Sequence, residues 1–139
     1  MKKIGLIFLI AGFISTICYG QQIDTMIYIC PNIQPTFKYD TCSNLKSSLK
    51  KYFMDTYKMP AILRDNGYAG KVVVEFIVER DSAISNVKLI RGIDDPIDKS
   101  VFETIKSMPK WSPGINNGKT VRTKLSIPVS ILWLHGKVE

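Results

Sequence analysis

In Gly70-Lys71-Val72-Val73-Val74-Glu75-Phe76-Ile77-Val78 the hydrophobic period of this chain becomes two. Val72, Val74, Phe76 and Val78 fall on one face, while Glu75 and Glu79 fall on the other, which is the pattern of a half-buried strand. Arg80-Asp81-Ser82-Ala83 is polar and turn-forming. Ile84 to Arg91 then reads as a returning strand, so the two make an antiparallel hairpin. Further on, Asp95-Pro96-Ile97-Asp98 opens a helix: Asp95 is the expected cap, Pro96 suits the first turn, and Asp98 complements the dipole. Ile97, Val101, Phe102, Ile105 and Met108 form its inward stripe, and Pro109 stops it. After the turn signal Asn116-Asn117-Gly118 comes the longest strand. Val121, Thr123, Leu125, Ile127, Val129, Ile131 and Trp133 share its apolar face, and Arg122, Lys124, Ser126, Pro128 and Ser130 its polar face.

On the N-terminal side, Leu45, Leu49, Tyr52 and Phe53 recur at helical spacing, with Ser43 placed to cap the start. Residues 60–66 read as a shorter helical turn that begins on Pro60 and closes on Gly67. Met26-Ile27-Tyr28-Ile29 reads as a short strand before Pro31 and Pro35 break regularity. The order helix, strand, strand, helix, strand with a right-handed crossover places the last strand beside the first and antiparallel to it. The expected fold is therefore α+β: a three-stranded antiparallel/mixed sheet with two helices packed on one face. The last strand lies at the sheet edge, where Pro128, lacking an N–H, and the basic Arg122 and Lys124 are at home.

The chain has 139 residues, 45% apolar and 22% charged, a composition of one folded domain. Its net charge of +7 falls to +5 without Lys2 and Lys3, which sit at the head of an apolar run from Ile4 to Tyr19. That run, with small residues before Gln21, has the layout of a cleaved secretory signal. As a helix it would rise about 24 Å, short of a hydrocarbon core of roughly 30 Å. Export to the periplasm is expected, with an inner-membrane anchor facing the periplasm as the alternative. The organisation read from sequence is a signal peptide or short anchor over 1–20, an extension with a helix over 21–56, and a domain over 57–139. Removal of the leader takes Cys18 and leaves Cys30 and Cys42. In an oxidising compartment this pair suggests a disulfide, worth about 3 kcal/mol by loop entropy, against the alternative of two buried thiols.

Several motifs, in order, carry a resemblance. They are the strand from Gly70 to Val78, Ile84-Ser85-Asn86-Val87, Arg91-Gly92, Asp98, Ser107-Met108-Pro109-Lys110-Trp111-Ser112-Pro113-Gly114, Asn117-Gly118-Lys119-Thr120-Val121 and Ile127-Pro128-Val129. Together they resemble the C-terminal domain of the TonB energy transducers in its Bacteroidetes-type form, over about residues 57–134. Met59-Pro60-Ala61 stands where that family has a tyrosine-proline segment, and Ser82 where the hairpin turn commonly has glycine. Cys30 and Cys42 resemble an upstream cysteine pair of some relatives. The resemblance implies a non-enzymatic protein of energy-dependent transmembrane transport. Its partner would be an outer-membrane receptor, whose extended peptide segment adds as a strand to the sheet edge. On this chain the edge falls on Thr120, Val121, Arg122, Thr123, Lys124, Leu125, Ser126, Ile127, Pro128 and Val129, with Arg122 and Lys124 drawing an acidic peptide. An inner-membrane motor is the family's further partner. The segment before Gly70 has isolated prolines and no proline-rich spacer, so the expectation is a stand-alone exported binding domain that does not carry force from the inner membrane by itself.

Other chemistry finds little support. His135, the one histidine, sits in the tail. Asp94, Asp95 and Asp98 are explained by a helix start. Asn117-Gly118-Lys119-Thr120 lacks the glycine spacing of a phosphate loop and precedes a strand. Lys46, Lys50 and Lys51 form a basic helix face, and export argues against nucleic acid. No catalytic pair, cofactor or metal site is expected. Trp111, between Pro109 and Pro113, is a candidate partner anchor, weighed against packing on the core. A self-associating envelope module, a homodimer paired through its edge strand, is the alternative function.

Overall fold

A computed structural model describes residues 25–63, 67–134 and 137–138. The leader reading over 1–20 and His135 lie outside the described residues. The elements are β1 (Ile27–Tyr28), α1 (Leu45–Thr56), a single 3-10 turn (Ala61–Leu63), β2 (Tyr68–Val78), β3 (Ile84–Arg91), α2 (Asp95–Lys106), β4 (Gly114–Asn116), β5 (Lys119–Leu134) and β6 (Lys137–Val138). The fold is α+β, with a mixed sheet ordered β1-β5-β2-β3. Its body is the expected trio β5-β2-β3. The strand count differs, because the short β1, β4 and β6 all pair with β5 as well.

The β2–β5 ladder runs unbroken from Tyr68↔Trp133 to Val78↔Thr123. Val72, Val74, Phe76 and Val78, at alternate positions, are fully buried, as the period-two pattern requires. On β5, Val121, Thr123, Ile127, Val129 and Ile131 are buried on the same face. Ile97, Val101 and Ile105 of α2 and Tyr52 of α1 complete the core above them. At the β2–β3 turn, Ser82 adopts φ 75° and donates its N–H to the Glu79 carbonyl at 3.1 Å. Glycine takes such a backbone without a steric penalty, so serine here holds a strained turn. Asn117 and Gly118 both have positive φ (50° and 75°), as a tight two-residue hairpin between β4 and β5 demands.

Both helix caps fall one residue away from the expected positions. Asn44, not Ser43, caps α1: its Oδ1 accepts the Ser47 N–H at 2.8 Å. Asp94, not Asp95, precedes α2 in an extended conformation and makes no side-chain cap bond. Its carboxylate instead accepts from the Tyr68 hydroxyl at 2.7 Å, while Asp98 accepts the Ile93 N–H at 2.8 Å.

The core does not stop at residue 57. Phe37, 1% exposed, comes from the irregular segment before α1. It stacks on Trp111 at 5.1 Å and meets the edge of Tyr52 at 5.6 Å. Tyr52 in turn donates its hydroxyl to the Thr104 carbonyl of α2 at 3.0 Å. Thr36 and Ile33 tie the same segment to Ser112 and Ile115 by backbone bonds. Residues upstream of the expected domain thus fill and close its core.

Candidate functional site

Thr123 of β5 pairs with Val78 of β2 and with Tyr28 of β1, so β1 lies on the side of β5 away from β2. Trp133 likewise pairs with Tyr68 on one side and with Val138 of β6 on the other. Between these two brackets, residues 124–132 of β5 have no strand on their outer side among the described residues. The expected edge from Thr120 to Val129 is therefore corrected at its start. Thr120 and Val121 pair with β4, and Arg122 and Thr123 with β1. Lys124, Leu125, Ser126, Ile127, Pro128 and Val129 keep an open margin, which continues to Leu132.

The expected basic attraction is also corrected. Arg122 holds Glu79 by two bonds, Nε to Oε2 at 2.7 Å and a terminal nitrogen to Oε1 at 2.9 Å. Lys124 lies 3.4 Å from Glu75. The register brings Glu79 and Glu75 of the β2 arm beside the two cations on the polar face. Arg122 is the main reason that the Glu79 carboxyl titrates below its ordinary range; burial opposes this and the Ser85 hydroxyl assists it. These charges lock neighbouring strands together, so the polar face of β5 presents paired ions to a ligand.

The margin itself borders a groove of about 640 Å³, which runs along the core-face side chains of β5 and also touches Pro128, Ser130 and Lys71 of the polar face. One wall is the strip Ile127, Val129 and Ile131 of β5; the other is α1 with Leu45, Leu49, Phe53 and Met54, closed by Tyr57. Leu45, Leu49 and Phe53 are half-buried, and Met54 is 47% exposed. Lys46 and Lys50 of α1 and Lys71 of β2 also line it. All three are exposed, and no ion pair engages them among the described residues. The four-residue spacing that announces α1 in the sequence also places this stripe on one side, but which strand it faces is a matter of tertiary packing.

Two other expected sites change. Trp111, the candidate partner anchor, is 2% exposed. It is sandwiched by Phe37 and the edge-on Phe76 at 5.2 Å, and so belongs to the core. Cys30 and Cys42 are free thiols, the first exposed and the second half-buried, so the expected disulfide is absent here. Cys30 leaves the end of β1, which the ladder ties to β5, while Cys42 sits in a turn held by its own N–H to the Tyr39 carbonyl.

The sheet's other rim, β3, has no outer strand among the described residues but is guarded. Its pairing with β2 is broken by two register shifts, Asn86 has φ 48°, and Lys88 and Arg91 are exposed. Bulges and lysines of this kind discourage added strands. The β5 margin carries no charge from Leu125 to Leu132. No cluster of three metal-ligating side chains occurs among the described residues.

Residues 57–130, over half the chain, match the family of the Gram-negative bacterial TonB protein C-terminal domain. Among solved structures, two solution structures of a Helicobacter pylori TonB C-terminal domain are similar. One is 19% identical with a TM-score of 0.46, over 63% of this chain and 95% of that one. The other is 21% identical with a TM-score of 0.42, over 67% and 88%. No curated protein matches the chain.

Proposed function

This chain belongs to the TonB C-terminal domain family, and we propose that it serves energy-dependent transport by taking an extended receptor segment onto the outer margin of β5. The observation that carries this reading is the run 124–132, which has no strand on its outer side among the described residues and lies along an apolar groove. Strand addition gains affinity from main-chain N–H and C=O groups and preference from side chains at alternate positions. The margin supplies the first, and the spaces beside Ile127, Val129 and Ile131 supply the second. Pro128 brings no donor and limits how many rungs an added strand can make. The β3 rim competes poorly, for the reasons given above. In this role the protein is a periplasmic, non-enzymatic binding domain, exported by its leader, whose partner is the periplasmic end of an outer-membrane receptor.

The test is amide hydrogen exchange during titration with synthetic segments from receptor N-termini. Slower exchange is expected within 124–132, with β3 unchanged. Protection of β3 alone, or binding that leaves β5 untouched, refutes the assignment. A dimer that grows with concentration and resists every peptide gives the margin to a second copy instead.

A further inference from the structure

We infer that α1 forms the second wall of the peptide site and selects acidic, amphipathic segments, a reading that rests on strand addition at β5. A bare sheet margin reads backbone and is indifferent to sequence; choice requires sockets. Helix α1 lies before the residues that match the family, and it turns this margin into a two-walled groove. A strand laid against residues 124–132 would send every second side chain to the core face of the sheet. There those side chains enter between Leu49 and Phe53 on one side and Ile127 and Val129 on the other. Large apolar residues fill such a space and remove its apolar surface from water.

Charge supplies the second half of the argument. Lys46 and Lys50, one helical turn apart, stand at the groove with Lys71, and no carboxylate among the described residues lines it. Their neighbour Lys51 is engaged by Asp55 at 3.1 Å and does not line the groove. Three cations around an apolar slot favour a ligand with carboxylates beside its apolar side chains. A fatty acid has the same two features. It would cover the main chain of Ile127 to Ile131 without supplying hydrogen bonds, whereas a peptide satisfies those groups as it enters. The occupant is therefore an acidic peptide strand.

The experiment uses the full chain and three synthetic peptides of equal length, titrated calorimetrically. The first alternates leucine or valine with polar residues including glutamate, the second replaces glutamate with lysine, and the third is the first with N-methylated backbone amides. The acidic peptide is expected to bind at least tenfold tighter than the basic one, and the gap should narrow at high salt. In Lys46→Glu/Lys50→Glu the preference should reverse. These side chains are exposed, so the unfolding midpoint checks that the fold is kept. Leu49→Ser should weaken both unmethylated peptides about tenfold. Equal binding of acidic and basic peptides to both proteins, with the methylated peptide inactive, overturns the role of α1 and leaves strand addition standing. Undiminished binding of the methylated peptide overturns strand addition itself. Laurate binding with no peptide binding also overturns the proposal.

Discussion

Replacing Phe37 with alanine is expected to destabilise the protein by about 3–5 kcal/mol, although Phe37 lies twenty residues before the family match begins. The side chain is 1% exposed, and full burial of a phenylalanine is worth about 1.5–3 kcal/mol. Its stacking on Trp111 at 5.1 Å and its edge contact with Tyr52 at 5.6 Å add about 0.5–1.5 kcal/mol each. Trp111, Tyr52 and the stacked Tyr39 ring at 6.2 Å leave little room for the hole to collapse. Domains have a net stability of about 5–15 kcal/mol, so the loss is a large share. The assay is urea unfolding followed by tryptophan fluorescence, with thermal melting beside it. At about 4 °C per kcal/mol, the melting point should fall by roughly 12–20 °C. Lys38→Ala, at an exposed neighbouring position, should change stability by less than about 0.5 kcal/mol. A loss below about 1 kcal/mol for Phe37→Ala would refute the claim that the upstream segment is part of the core.

Two further outcomes follow from polar groups. Because Arg122 holds the Glu79 carboxyl below its ordinary range, the pair contributes stability that is present above the unfolded-state value and lost as pH falls through the folded one. Glu79→Gln should therefore be less stable at pH 7 by about 0.5–1 kcal/mol. Urea titrations down the pH scale should show the gap closing below about pH 4.5, the ordinary carboxyl value; a gap that widens in acid contradicts the pairing. Ser48 is fully buried in α1, and its hydroxyl has no partner among the described residues. Ser48→Ala removes an unmet polar group and improves helix propensity, so it should stabilise by about 1 kcal/mol. A loss of that size instead would mean that the hydroxyl is satisfied by buried water.

The parts legible in the sequence are those where one strong period runs through many residues. Val72 to Val78 and Val121 to Ile131 declare strands whose faces the structure keeps, and Ile97 to Ile105 declares the inward stripe of α2. Caps are less legible because Ser43 and Asn44, or Asp94 and Asp95, are equally able acceptors. Backbone conformation chooses between them, and it depends on how the chain enters the helix. Phe37 follows Pro31 and Pro35 in a stretch with no period at all, and its partners Trp111 and Tyr52, from other parts of the chain, give it a place. The ion pairs at Arg122 and Lys124 depend on register, which sequence alternation alone leaves undetermined. The two-residue β1 is too short to carry a pattern, yet it occupies the first part of the expected edge.

That short strand has a mechanical meaning once β6 is set at the far end. A berth stopped at both ends gauges what moors in it: at about 3.3 Å per residue, the gap between the stops is roughly 30 Å. In the proposed docking a segment of that length would lie flush, with every rung loaded together when it is tugged lengthwise. A longer one must arch away from the sheet or prise off β1, which two ladder pairs hold in place.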